Sequence, residues 1–105
     1  MNSALGENSV ISGGQLNLAQ GYSSFVGGGG LHVVFGYGSA IGGGNGNTAL
    51  GDLAVVCGGV SNIANGFHAS VLGGSTNGAR AAWATIGGGD DNSVLATDGT
   101  ISGGF

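Results

Sequence analysis

Proline and lysine are both missing from this 105-residue chain, and a single arginine, Arg80, stands against five acids. A collagen helix needs proline and a glycine at every third position, so the 27 glycines do not belong to one. Charged residues make up 6% of the chain and hydrophobic ones 41%, the reverse of a disordered composition. A net charge of −4 offers no basic footprint for nucleic acid and no polybasic patch for anionic lipid. One cysteine, Cys57, excludes an intrachain disulfide and says little about redox compartment. No apolar run approaches membrane-spanning length, so direct membrane insertion is not expected. The first residues, MNSALGENSV, lack the basic and apolar regions of a secretory signal. An extracellular location would therefore require another export route or a longer parent chain.

What is present is a repeat. Glycine pairs fall at 13–14, 28–29, 43–44, 58–59, 73–74, 88–89 and 103–104, always 15 residues apart. Two residues before each pair stands Ile11, Val26, Ile41, Val56, Val71, Ile86 or Ile101. Two before that stands a small residue: Ser9, Ser24, Ser39, Ala54, Ala69, Ala84 or Gly99. After the pair comes a polar column of Asn2, Asn17, His32, Asn47, Asn62, Asn77 and Asn92. It is followed two residues on by Ala4, Ala19, Val34, Ala49, Ala64, Ala79 and Val94.

A period of two within each half of the unit indicates β-strand. The glycines mark turns, where positive φ or close backbone approach suits them. A helix would need a 3.6-residue period and would tolerate this much glycine poorly. The sequence therefore predicts an all-β solenoid of seven coils in one domain, residues 1–105, with two short strands per coil. At about 4.8 Å per coil the rod should be about 34 Å long. The interior has room for one Ile or Val, one Ala and one small residue per layer. Asn17, Asn47, Asn62, Asn77 and Asn92 should form a side-chain amide ladder, interrupted by His32.

Two outward columns are apolar where a monomer would be polar. One reads Val10, Phe25, Ala40, Val55, Ser70, Thr85, Thr100, and another Ser3, Leu18, Val33, Thr48, Ile63, Gly78, Ser93. A third, Leu5, Gln20, Phe35, Leu50, Asn65, Arg80, Leu95, is mixed. Apolar outer faces mark an interface, so a homo-oligomer packed side by side is expected.

The segments SAIGGGNGNTALGD (39–52), AVVCGGVSNIANG (54–66) and ATIGGGDDNSVLA (84–96) resemble the head repeats of trimeric autotransporter adhesins, in a Gly-Gly-rich variant. Similar repeats occur in phage tail fibres. The resemblance covers essentially the whole chain. It implies a left-handed parallel β-roll, a homotrimer about one axis, and attachment to a host surface protein, matrix or glycan. The implied location is extracellular, on a bacterial surface or a virion fibre.

No catalytic motif is found, and no enzyme activity, cofactor or metal is expected. A P-loop requires lysine. His32 and His68 have no companion at metal-ligand spacing. Asp90 and Asp91 follow a glycine pair once only, which reads as a solvated turn. Cys57 has no activating base and reads as a packed thiol. The candidate ligand-binding residues are an aromatic stripe at one turn: Tyr22, Tyr37 and Phe67, with His68 and Trp83 one position on. Exposed Tyr and Trp are common recognition anchors; packing against a neighbouring chain is the competing reading.

Three functions follow as expectations. The first is a non-enzymatic structural and adhesive fibre segment. The second is a structural protein that polymerises end to end, since the sequence begins and ends in phase with its repeat. The third is ice binding, for which Thr85 and Thr100 align but Val55, Ala40 and Phe25 break the threonine row.

Overall fold

A computed structural model describes residues 1–105. Each coil contributes two strands of two residues, and no helix is present. The odd strands are β1 (Ser3–Ala4), β3 (Leu18–Ala19), β5 (Val33–Val34), β7 (Thr48–Ala49), β9 (Ile63–Ala64), β11 (Gly78–Ala79) and β13 (Ser93–Val94). The even strands are β2 (Val10–Ile11), β4 (Phe25–Val26), β6 (Ala40–Ile41), β8 (Val55–Val56), β10 (Ser70–Val71), β12 (Thr85–Ile86) and β14 (Thr100–Ile101). Odd strands stack into one parallel seven-stranded sheet and even strands into another. The register is fixed at 15 residues throughout, as in Val26↔Ile41 and Ala49↔Ala64. The protein is thus the all-β solenoid of seven 15-residue coils that the columns imply, with a long dimension of 34 Å.

A third line of contact was not legible in the sequence. Gln15, Gly30, Asn45, Val60, Ser75 and Asp90 form successive parallel bridges, one residue per coil. Their side chains share no chemistry, because the bridge uses only backbone groups.

The core is one column wide on each sheet. Val26, Ile41, Val56, Val71 and Ile86 are inaccessible to solvent, and Ala19, Val34, Ala49, Ala64 and Ala79 face them from the other sheet. Ser24, Ser39, Ala54, Ala69 and Ala84 complete the buried layers. One buried Ile or Val contributes about 2 kcal/mol, too little to order a coil alone. Stability therefore resides in the stacking of coil on coil.

Glycine plays two distinct steric roles at the corners. The second glycine of each pair has positive φ, for example 91° at Gly44. Gly36 has ordinary φ, but a Cβ there would stand 1.9 Å from the carbonyl oxygen of Gly51 in the next coil. Ala81 takes that glycine's place in the sixth coil. Gly66 N–H still reaches the Ala79 carbonyl, whereas the equivalent bond from Ala81 to Val94 is lost. In the last coil Val94 fills space that a side chain at Gly99 would need: a Cβ on Gly99 would meet Val94 Cγ1 at 2.5 Å.

Two further corner positions are left-handed with few glycines. One contains Asn8, Ser23, Leu53, His68, Trp83 and Asp98, and the other Leu16, Leu31, Ser61, Thr76 and Asp91, all at φ between 53° and 62°. This conformation costs about 1 kcal/mol or more for each residue with a side chain. It turns the backbone N–H along the rod, where it bonds the preceding coil: Trp83 N–H to the Phe67 carbonyl at 2.8 Å and Thr76 N–H to Val60 at 2.9 Å. Neither column was legible, since the side chains there have nothing in common.

Candidate functional site

The polar column is buried against the glycine-rich turn. The asparagine amides do not bond to one another as a stacked amide ladder would. Asn17, Asn47, Asn62 and Asn77 instead bond backbone on three sides, and Asn92, in the last coil, on two. Asn62 Nδ2 donates to the carbonyls of Gly58 in its own coil and Gly74 in the next, both at 3.0 Å. Its Oδ1 accepts the backbone N–H of Asn77 at 2.9 Å. Asn17, Asn47, Asn77 and Asn92 donate in the same two directions. The column is a rivet that fixes each glycine turn to its own coil and to the next.

His32 takes an asparagine's place and does part of its work. Its backbone N–H donates to Asn17 Oδ1 at 3.0 Å, and its Nδ1 accepts the Asn47 N–H at 3.2 Å. Nδ1 is thereby held unprotonated, which leaves the ring proton on Nε2. That atom faces the Gly28 and Gly44 carbonyls but forms no hydrogen bond, and the residue is wholly buried. Burial pushes its pKa below 6.5, against smaller opposing effects from the backbone groups of Asn47, Gly44 and Gly28.

The aromatic stripe lies on the corner that joins each odd strand to the following even strand. Tyr22, Tyr37, Phe67 and Trp83 are 42%, 54%, 46% and 50% exposed, so they are surface groups of this chain. They form two blocks. The Tyr22 and Tyr37 rings stack with centroids 5.3 Å apart and planes 2° from parallel. His68 and Trp83 stack at 4.2 Å and 5°, with Phe67 edge-on to both. Both stacked pairs join side chains of successive coils, and Tyr22, Tyr37, Phe67 and Trp83 keep about half their surface open to solvent. Asp52 separates the blocks, and its Oδ1 accepts the Tyr37 backbone N–H at 2.9 Å.

Cys57 is exposed, not the packed thiol expected from its column. It follows the inward Val56, and strand alternation turns it out. Asp90 and Asp91 are exposed at the opposite corner, and no group of three metal-ligating side chains occurs in the structure. No helix is long and apolar enough to cross a membrane.

The class this architecture defines is the parallel β-solenoid, with its chemistry confined to repeated corners and faces. No protein-family model matches the chain, and no curated protein matches it either.

Proposed function

We propose that the chain is a non-enzymatic structural and adhesive segment of an extracellular fibre, working as a homo-oligomer of laterally packed rods, a trimer by its resemblance to adhesin heads. The observation that carries this reading is the outer surface of the two sheets. Neither strand column on these surfaces contains a charged residue, and the one charge over them is the Arg80 guanidinium, which lies on Gly78 in the sixth coil. Val10 and Phe25 are 49% and 41% exposed, and Leu18, Val33, Val55 and Ile63 are half-buried. Strips that carry apolar side chains through the first five coils and a single charge along the rod suit burial against another rod.

The first glycine of each pair supports the same reading. A Cβ on Gly13, Gly28, Gly43, Gly58, Gly73 or Gly88 would meet nothing within 4 Å in its own chain. The fold of one chain does not explain the glycine, whereas close approach of a neighbouring backbone does.

The test is the mass of the particle in solution. Light scattering after size exclusion should give three chains per particle, and Val55→Lys with Ile63→Lys should return the monomer. The two lysines place one charge on the outer strip of each sheet, and each is expected to cost several kcal/mol when buried. A monomeric parent chain at micromolar concentration would sink the reading. Long filaments in micrographs would replace it with end-to-end polymerisation.

A further inference from the structure

Arg80 is the one strong base of the chain, and it stands on a face that otherwise carries no charge. Gly78 lies in the outward column of the odd sheet, in register with Ile63 and in line with Leu18 and Val33. The Arg80 side chain folds back over it. Its Nε lies 3.0 Å from where a Cβ on Gly78 would stand, and Gly78 is buried beneath it while Arg80 is exposed. No acid of its own chain pairs with Arg80, and its column neighbours in the adjoining coils are Asn65 and Leu95.

This is one of the two faces that the fibre reading covers with a second copy. The rod measures 34 × 20 × 12 Å, so its broad side is close to the roughly 800 Å² that each partner gives to a standard interface. A guanidinium buried there without a counter-charge would oppose association. A carboxylate supplied by the neighbour turns the same group into a contact that fixes position.

The placement of the acids decides how the neighbour lies. In antiparallel packing with full overlap the sixth coil meets the second, residues 16–30, which hold no acid. In parallel packing with full overlap the sixth coil meets the sixth. Asp90 closes that coil and Asp91 opens the next. On a 15-residue coil they stand about 3 Å higher along the rod than Arg80, within reach of an arginine side chain. Both are exposed, and no base of their own chain answers them. They directly follow Gly88 and Gly89. A Cβ on Gly88 would meet nothing within 4 Å in its own chain, so this corner is open to another rod. Asp98 lies at the aromatic corner, one coil beyond Trp83, where bulky side chains hold a neighbouring backbone off.

We propose that Arg80 pairs with Asp90 and Asp91 of a second copy lying parallel and in register. Apolar strips alone would let two rods slide or reverse; this charge contact sets direction and register. The inference rests on the lateral-oligomer reading above and names the residues that orient it.

The experiment is a charge swap read by sedimentation equilibrium. Arg80→Asp should weaken association at least about tenfold, and so should Asp90→Arg with Asp91→Arg. The three changes together restore opposite charges across the contact and should return the parent affinity to within about threefold. General repulsion predicts otherwise: the first variant adds to the net charge of −4 and the second cancels it, so one would weaken and the other strengthen association. Arg80→Gln keeps the stem over Gly78 and loses the charge; it should weaken association with circular dichroism unchanged. Direction is read with a spin label at Ser12→Cys in a Cys57→Ser chain. Labels of neighbouring copies should sit one rod width apart, whereas antiparallel rods would separate them by six coils, about 29 Å along the axis. Unchanged association in Arg80→Asp overturns the proposal. So does failure of the combined variant to recover, recovery with Asp98→Arg in place of the changes at Asp90 and Asp91, or a label separation of six coils. A monomeric parent chain overturns the fibre reading together with this one, whereas an oligomeric parent indifferent to these changes overturns this one alone.

Discussion

At the scale of single residues, His32 is the weakest rivet. The proton it would take in acid has only Nδ1 to go to, and Nδ1 already accepts the Asn47 N–H. Protonation would set two donors against each other between the third and fourth coils. Between Glu7 and Asp52 the sequence holds no other acid or base apart from two tyrosines, so nothing nearby offsets the charge. The folded pKa lies below the ordinary 6.5, so the unfolded chain binds the proton first. His32 therefore contributes its full stability above pH 6.5 and loses it as pH falls through the folded value. The variant His32→Asn should remove that loss. Urea melts of the two proteins between pH 7 and pH 5, above the carboxylate range, should diverge toward acid with the variant the more stable. Parallel curves would show that the imidazole is not responsible.

Thr76 illustrates the opposite case, a residue its position does not suit. A β-branched side chain at φ 57° is strained; its N–H bonds Val60, and its hydroxyl makes only an exposed contact with the Ser75 hydroxyl at 3.2 Å, where water can replace it. Thr76→Gly keeps that bond and relieves the strain. It should raise stability by about 1 kcal/mol, seen as a Tm higher by about 5 °C in calorimetry.

At the scale of the coil, the legible features were those in which a side chain faces the interior. Ile and Val recur because the inner column admits one branched residue per layer, and Asn recurs because its amide bonds three backbone groups. Legible too was the need for glycine at the turns. Hidden were the bridge through Gln15, Gly30 and Asn45 and the left-handed corners at Leu53 and Trp83, because backbone does that work and any side chain can ride on it. The direction of the asparagine bonds was hidden as well. A column of identical amides reads equally as an amide-to-amide ladder or an amide-to-backbone rivet, and only the distance of each Nδ2 from two glycine carbonyls decides. For the aromatic corner, the register of the rings was legible but not their pairing face to face within two blocks.

The coil also ranks its glycines. Gly36→Ala would force a methyl into the Gly51 carbonyl, so the fourth coil must move away and weaken the bonds that cross the junction. A cost of about 2 kcal/mol or more is expected by chemical denaturation. Gly43→Ala meets nothing in its own chain and should leave an isolated chain's stability nearly unchanged, while it impairs association of the oligomer. A substitution that harms the monomer and the oligomer equally would contradict that division.

At the scale of the whole molecule, the rod is a one-dimensional stack in which each coil answers only to its neighbours. Residues 46–60 form one such unit, and their removal joins Asn45 to Ser61, residues that occupy neighbouring places around the coil. The shortened chain should fold with the same circular dichroism and a rod about 4.8 Å shorter by small-angle scattering. A collapse of the fold would mean that the fourth coil holds contacts beyond its two neighbours.

The constant 15-residue register has a consequence for heredity. A gene that encodes such a stack can gain or lose coils by misaligned recombination between its own repeats. Each in-phase product is again a complete set of bonds, so selection can act on reach without first repairing a fold. An outward corner position can change in one duplicate without disturbing the bonds of the others. The register thus lets length and surface vary independently of one another.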